Sequence, residues 1–411
     1  MSEIRVTSVV GENGGDRVGL TTGLTVGPLT GTTGIGATIT HQGHAQFAGV
    51  CTATAFVSDT PLSHRNIIVN GAMTVAQRGV SSASADFASV DRMKMSVTNI
   101  DQLAFLQKQT SDGPDGFSKC FEFDVTTVEN ALDADDLVYM RYAVEAQDLI
   151  PFFNANGSGK NFTLSFYVKA YQTGTYQVGI YKADATAQFI TRTYTIASSG
   201  VWQRVVLNFT GDTGTSGINA DNGLGFQISF MLAAGTNYTS GSEQPTWGGW
   251  PGNPGFAAGQ AVNTLSSTDN YWRITGIQLE LGDVATPFEH RSYGDELRRC
   301  HCYFFNIQGS NGYRTGIPCY ANSSSECRGV VYFPAPMRAN PTFTGSTTAM
   351  VFDSAADSAS FNVNTISSSV ANTNALYNRA FLEVSTSSMT PGQAGQLEFR
   401  ATGFMNFSAE L

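Results

Sequence analysis

The stretch NFTLSFYVKA at residues 161–170 decides the fold class, because apolar and polar side chains alternate along it. In an extended chain this alternation puts one set of large apolar residues on a single face: Phe162, Leu164, Phe166 and Val168. A period of two residues is typical of a strand that buries one of its faces. The stretch therefore predicts a β-strand that packs against a core.

The same alternation recurs at residues 175–183, 203–210, 225–232 and 271–281. Clusters of Gly, Asn and Asp separate these segments, as turns separate the strands of an antiparallel sandwich. We therefore predict an all-β chain with a β-sandwich at residues 61–295. Residues 303–411 repeat the pattern in shorter segments, and predict a second, smaller β-sandwich at residues 296–411.

Two local predictions go beyond this alternation. Residues 66–79, NIIVNGAMTVAQRG, predict a strand, a turn at Asn70-Gly71 and a second short strand. Residues 130–149, NALDADDLVYMRYAVEAQDL, predict the one short helix of the first sandwich. Its N-terminal turn would be stabilised electrostatically by three carboxylates, Asp133, Asp135 and Asp136.

Residues 1–60 have a different composition, in which Gly and Thr alternate with single aliphatic residues and charge is almost absent from residue 18 to residue 57. So few large side chains cannot build an independent core. We expect a stalk or docking segment, which is either flexible or wound as extended β structure around a symmetry axis.

The charge and the hydrophobic pattern of the chain argue against nucleic-acid and membrane partners. A formal net charge of -10 argues against binding DNA or RNA through a general electrostatic footprint. No apolar run approaches the ~18 residues of a membrane span, and the N-terminus lacks the apolar core of a signal peptide. We therefore expect synthesis in a cytoplasm, without membrane insertion.

Residues 274–297, ITGIQLELGDVATPFEHRSYGDEL, join the two predicted sandwiches. The alternation predicts that Ile277, Leu279 and Leu281 face the core, while Gln278 and Glu280 point outward. Pro287 forbids helical conformation at Thr286, so the chain leaves the sheet extended, and Ser292 and Asp295 offer caps for a short helix. We expect the charged residues of this stretch to form a junction between domains and between protomers rather than an active site: Glu280, Glu289, Arg291 and Asp295.

This stretch, followed by RRCHCYFF, resembles a module of bacteriophage tail-fibre and minor virion structural proteins. In that module a strand ending in QLE-x-G-x-x-ATPFE-x-R precedes a short helix and an aromatic pair. Three further pieces match in the same order over residues 66–305: NIIVNGAMTVAQRG, SVDRMKMS with Met93 where the family usually has Trp, and GSGKNFTLSFYVKA. The terminal FSAEL is similar to the C-terminal end of such proteins.

The resemblance implies a jelly-roll sandwich, similar to carbohydrate-binding modules, on a homotrimeric virion fibre without a cofactor. Residues 1–60 would then anchor the chain to other tail or portal-proximal virion proteins. We expect a non-enzymatic tail fibre that attaches to glycans of the host surface. Two alternatives stay open: a purely structural component, such as a head fibre or a tail adaptor, and, with less support, a tailspike that degrades polysaccharide.

The Gly/Pro-rich segment 237–260 is the candidate binding site. It carries four aromatic residues beside amide and carboxylate groups: Tyr238, Trp247, Trp250 and Phe256. Such a set suits sugar rings, whose C–H faces stack on aromatic rings while their hydroxyls form hydrogen bonds. The alternative is that the two tryptophans pin the segment to the sandwich or fill a contact with a neighbouring protomer.

We predict no metal site. Cys300, Cys302, Cys319 and Cys327 lack the paired spacing of structural zinc ligands, so we expect buried thiols, with Cys300 and Cys302 on an alternating strand. A disulfide between Cys319 and Cys327 stays open. His41 and His44 could ring a metal on a trimer axis, although two polar residues in a stalk are the simpler interpretation.

Overall fold

The chain divides into two compact units, Met1–Asp59 and Thr60–Leu411. The computed structural model describes three strands of the first unit and residues 63–411 of the second, except 101–104, 185, 215–216, 310–314, 348–349, 355–358, 370–377 and 400–402. The three strands form an antiparallel sheet: β1 (Leu24–Val26), β2 (Ala37–Ile39) and β3 (Ala45–Phe47). The rest of the stalk predicted for residues 1–60, with His41 and His44, lies outside the described residues.

Two six-stranded antiparallel sheets form the first sandwich, which confirms the predicted jelly-roll fold. In chain order its strands are β4 (Ser81–Ser82), β5 (Lys94–Thr98), β6 (Phe105–Thr110), β7 (Cys120–Val125), β8 (Leu137–Glu145), β9 (Phe162–Ala170), β10 (Gly174–Lys182), β11 (Gln188–Ile196), β12 (Gln203–Phe209), β13 (Leu224–Ala234), β14 (Gly248–Gly249) and β15 (Tyr271–Leu281). Sheet A has the order β14-β11-β10-β13-β8-β5, and sheet B has the order β12-β9-β15-β7-β6-β4.

The inner faces of sheets A and B share one apolar core. The predicted inner face of β9 is fully buried in it, and so are Ile277 and Leu279 of β15, while Leu281 packs at its edge. Short helical segments complete the sandwich: a 3-10 helix at Ala146–Phe152, α1 (Thr236–Thr239), α2 (Asn253–Phe256) and a 3-10 helix at Thr264–Ser266.

The predicted helix at residues 130–149 is wrong. Leu137–Glu145 is strand β8 between β13 and β5, and Val138, Met140, Tyr142 and Val144 alternate into the core. Long-range pairing with two strands outweighs the local preference, because each ladder satisfies a row of backbone groups. The three acidic residues therefore precede a strand, where the Asp136 carboxylate accepts a hydrogen bond from the Asp133 backbone N–H at 2.8 Å.

Residues 66–79 form the predicted turn at Asn70-Gly71 but no strands on either side of it. The segment runs beside β15 instead, where the Ile67 N–H donates to Leu279 and the Ile277 N–H donates to Gly71. The Asn66 side chain adds bonds to the backbone of the same strand at 3.0 and 3.1 Å. The start of the sandwich is thus fixed to the strand of the resemblance motif.

The C-terminal residues form the predicted second sandwich. Helix α3 (Tyr293–His301) leads into it, and its strands are β16 (Phe304–Gln308), β17 (Thr315–Ala321), β18 (Glu326–Tyr332), β19 (Thr342–Gly345), β20 (Met350–Ser354), β21 (Ala359–Asn362), β22 (Thr365–Ser369), β23 (Arg379–Ser385), β24 (Ala394–Phe399) and β25 (Phe404–Ser408). A three-stranded sheet, β16-β25-β19, and a seven-stranded sheet, β21-β20-β24-β17-β18-β23-β22, enclose a separate core. In the described part of the chain no helix is long and apolar enough to span a membrane.

Candidate functional site

The outer face of sheet A carries aromatic and amide side chains on neighbouring strands. Tyr181 of β10 lies directly opposite Gln227 of β13, and Tyr139 of β8 lies opposite Met231 of the same strand. Their chain neighbours point into the core, so the two-residue period puts these side chains on the opposite face. The sheet thus presents a rigid floor for anything bound on this side.

The segment from α1 to α2 lies against this face and is fixed by backbone contacts. Its strand β14 pairs with β11, with Gly248 opposite Phe189. The buried Gln177 of β10 donates from Nε2 to the Phe256 carbonyl at 2.9 Å and accepts from the Gly259 N–H at 2.6 Å. The buried amide thus pairs with two backbone groups of this loop at once and ties it to β10.

A small satellite core fixes the aromatic residues at the base of this segment. Phe189, Tyr238 and Phe256 are buried together with Met231, apart from the main core. A Cβ atom at Gly179 would lie 2.6 Å from the Phe189 ring, so any other residue at this strand position would displace that ring. Burial also raises the pKa of Tyr238.

An open pocket of about 430 Å³ lies between the segment and the sheet. It is lined by Leu137, Tyr139, Tyr181, Ala187, Gln227, Tyr238, Trp250, Asn253 and Phe256. Trp250 forms its exposed edge, since 43% of this residue is accessible. The Trp250 ring is held edge-on against Tyr181 and Phe189, each with centroids 5.3 Å away, and lies 5.4 Å from Phe256.

The chemistry of this pocket is that of stacking and hydrogen bonding. The exposed indole of Trp250 offers an aromatic face, and the side chains of Gln227 and Asn253 offer amide donors and acceptors. The lining residues include no carboxylate or histidine. A flat ligand with one apolar face and hydroxyl groups at its rim matches this lining.

The structure brings together three of the four aromatic residues that the sequence singled out. Tyr238, Trp250 and Phe256 line the pocket, whereas Trp247 packs against the main core, 5.7 Å from the Phe226 ring, and its Nε1 donates to the Thr210 carbonyl at 2.7 Å. Trp247 therefore pins the segment to the sandwich, as the alternative interpretation of the tryptophans holds.

The strand residues that form the floor of the pocket were not among the residues predicted from the sequence. Tyr139, Tyr181 and Gln227 come from three strands that are far apart in sequence. A signal existed for Tyr181, because it is a large aromatic residue at an outward position of the alternating segment 175–183. An outward tyrosine on a predicted strand can mark a covered or ligand-binding face, since open strand faces are usually polar.

The charged residues of the resemblance motif form a network within one chain. Glu289 accepts hydrogen bonds from the backbone N–H groups of His64 and Asn66, both at 2.8 Å, and Arg291 donates to the Ile68 carbonyl and to Glu296. Burial opposes ionisation of Glu289, but these N–H donors and Arg291 outweigh it and lower its pKa. The network fixes the entry of the first sandwich to the segment that leaves it.

Two other members of the predicted junction act locally. Gln278 and Glu280 point away from the core, as predicted, but the segment after β15 folds over them and buries both. The Glu280 carboxylate accepts from the Thr286 N–H at 2.9 Å and from its hydroxyl at 2.6 Å. Asp295 caps α3 with Ser292, whose hydroxyl oxygen accepts from the Asp295 N–H at 3.2 Å.

The five cysteines among the described residues are free thiols. Cys300 is buried in α3 and Cys302 follows that helix, so the prediction of an alternating strand there is wrong. Cys319 and Cys327 are both buried on adjacent strands, and the hydrogen bond with Cys319 raises the pKa of the Cys327 thiol. Among the described residues, no group of three His, Cys, Asp or Glu side chains is arranged to hold a metal ion.

No family model and no curated protein matches the chain. Among solved structures, it is similar to the enzymatically active domain of tailspike protein 4 of bacteriophage CBA120, with 14% identity, a TM-score of 0.28, and 53% of this chain and 21% of that chain covered. It is also similar to the family 11 carbohydrate-binding module from Clostridium thermocellum in complex with a β-1,3-1,4-mixed-linked tetrasaccharide. That match has 12% identity and a TM-score of 0.26, and it covers 50% of this chain and 98% of that chain. A third similar structure is a module named TmCBM61 in complex with β-1,4-galactotriose, with 12% identity, a TM-score of 0.24, and 53% of this chain and 99% of that chain covered.

Proposed function

We propose that this chain is a non-enzymatic fibre protein of a phage virion that binds a glycan of the host surface on the outer face of sheet A. The observation that carries the proposal is the pocket in which Trp250 stands exposed above a floor of Tyr181 and Gln227. Aromatic stacking together with amide hydrogen bonds is the chemistry that distinguishes sugars from other small solutes.

The fibre part of the proposal rests on the resemblance over residues 66–305 and on the composition of residues 1–60. In a homotrimer, each fibre would carry three copies of the pocket. Single sugar contacts are weak, but repetition raises the effective concentration of each further contact and hence the avidity. Residues 1–60 would anchor the fibre to its virion partners.

The experiment compares two variants of the purified chain on an array of bacterial surface glycans. Trp250→Ala removes the exposed ring, and Tyr171→Ala removes a ring of similar exposure, 48% against 43%, on the same sandwich but outside the pocket. We expect the first variant to lose glycan binding and the second to retain it, because only Trp250 lines the pocket.

The outcomes separate the candidate functions. A protein that binds no glycan would support a purely structural virion component instead. Glycan binding that is the same in both variants would refute the Trp250 pocket as the binding site. Release of reducing sugar from a bound glycan would identify a polysaccharide-degrading tailspike and refute the non-enzymatic proposal.

A further inference from the structure

Arg141 lies on the outer face of sheet A, where no described residue pairs with its guanidinium. It follows Tyr139 by two residues on β8, so both side chains point away from the core. The guanidinium makes no hydrogen bond or ion pair with the residues that the structure describes, and its Nε is buried without an acceptor. A buried donor without a partner is costly, which marks this group as one that a ligand could satisfy.

The surroundings of Arg141 carry an excess of positive charge. Lys94 of β5 lies directly opposite Arg141 in the strand register, and two cations in this arrangement repel each other. Asp86 is the carboxylate next to this pair. It lies 2.9 Å from the Lys94 Nζ, and its side chain is 67% exposed. One carboxylate faces two cations, so this patch favours an anion although the chain as a whole is acidic.

The cation and the aromatic pocket are parts of one surface. Gln227 lines the pocket, and its Nε2 donates to the Ser229 hydroxyl at 3.0 Å. Ser229 is the register partner of Arg141. Along β8, Arg141 is about 7 Å from pocket-lining Tyr139, a separation of two strand residues. A saccharide that stacks on Trp250 and extends over Gln227 therefore reaches the guanidinium.

We propose that Arg141 binds the carboxylate of an acidic saccharide, of the uronic acid type, whose neutral part stacks on Trp250. The inference rests on the proposed function and adds the class of glycan. A planar guanidinium matches a carboxylate through two parallel N–H donors, and burial of the Nε strengthens such a charged hydrogen bond. The amides of the pocket then bind hydroxyl groups of the same chain.

The test uses an array on which each uronate-containing glycan is printed both as the free acid and as its methyl ester. Esterification removes the negative charge and leaves the sugar rings unchanged. We expect the wild-type chain to bind the acids at least about tenfold more tightly than the esters, since charged hydrogen bonds are among the strongest in proteins. Arg141→Gln should abolish that preference, so that acids and esters bind with similar affinity, and Arg141→Lys should keep part of it.

Controls distinguish the failure of this inference from failure of the proposed function. Arg379→Gln, at an exposed position of the second sandwich, makes the same change of net charge and should keep the preference. If acids and esters bind equally and both are lost in Trp250→Ala, the preference for an acidic saccharide is refuted. Glycan binding at the Trp250 pocket is then still supported. A wild-type chain that binds neither form but does bind neutral glycans would overturn the inference alone, and one that binds no glycan of either kind would overturn the proposed function as well.

Discussion

The two sandwiches are joined by a buried ion pair, and its removal is the perturbation whose cost follows most directly from the structure. Arg92 of the first sandwich pairs with Glu410 at the end of the chain, and their side chains are 1% and 5% exposed. Arg92 also donates to the Ala143 carbonyl at 2.7 Å and lies 3.5 Å above the Tyr303 ring. The substitution Glu410→Gln keeps the shape of the side chain but leaves the guanidinium buried without a counter-charge.

Breaking one side of a buried pair costs about 3–5 kcal/mol. For a unit of about 350 residues, an unfolding entropy of about 2.1 cal/mol/K per residue converts this loss into a fall in melting temperature of about 4–7 °C. The assay is thermal unfolding followed by circular dichroism. The matched control is Glu383→Gln, the same chemical change at a residue whose side chain is 51% exposed and whose partner Arg328 is 3.5 Å away.

A surface pair of that kind contributes about 0–1 kcal/mol, so the control should move the melting temperature little. Replacing both members, as in Arg92→Met with Glu410→Gln, should recover much of the lost stability, because the fully buried guanidinium that lost its counter-charge is then gone, while Arg78, which also pairs with Glu410, keeps Asp91 at 3.8 Å. If Glu410→Gln unfolds at the same temperature as Glu383→Gln, the argument that this pair locks the two sandwiches together is refuted.

The remaining predictions concern three other positions. Burial raises the pKa of Asp91 to about 6 from an ordinary value of 3.8. The contribution of Asp91 to the free energy of unfolding is therefore complete below about pH 4 and is lost as the pH rises through about 6. In denaturant unfolding, the stability advantage of wild type over Asp91→Asn should shrink by about 3 kcal/mol by about pH 7. A stability difference that stays constant with pH would disprove the raised pKa. Trp247→Ala should cost about 2–3 kcal/mol in the same assay, less than a fully buried tryptophan, while glycan binding persists; loss of binding without loss of stability would contradict its packing role. Asp212→Asn should cost about 3–5 kcal/mol, because it leaves the fully buried Lys182 without its partner, and an unchanged midpoint would show that this pair is not buried in solution.

The sequence predicted the elements whose alternation reflects a single buried face. Residues 161–170 and 271–281 were assigned correctly because their apolar residues enter one core with a period of two. Strand β8 does not show this alternation, because Leu137 and Tyr139 on its outer face are covered by the segment after β13. Both faces are therefore apolar, and the resulting continuous run after three aspartates has the pattern of a helix.

The candidate site could be predicted only in part, because its geometry depends on strand pairing between residues that are far apart in sequence. Its aromatic segment is local in sequence, so a search for exposed aromatic clusters finds Trp250 and Trp247 together. Which of the two lines the pocket depends on the register between β14 and β11, a long-range property. Whether a described residue pairs with Arg141 depends likewise on its register partners, Ser229 on β13 and Lys94 on β5. No local sequence pattern specifies those partners.

Tryptophan fluorescence tests the central claim, glycan binding at Trp250, most directly. The chain has four tryptophans, and Trp250 is the one that lines the pocket. A bound sugar ring that stacks on Trp250 should change its emission, and the change should saturate with glycan concentration. The account predicts that the signal disappears in Trp250→Phe and persists in Trp202→Phe, whose residue lies outside the pocket. A saturable change that survives in Trp250→Phe, or saturable glycan binding that leaves the emission unchanged, would contradict it.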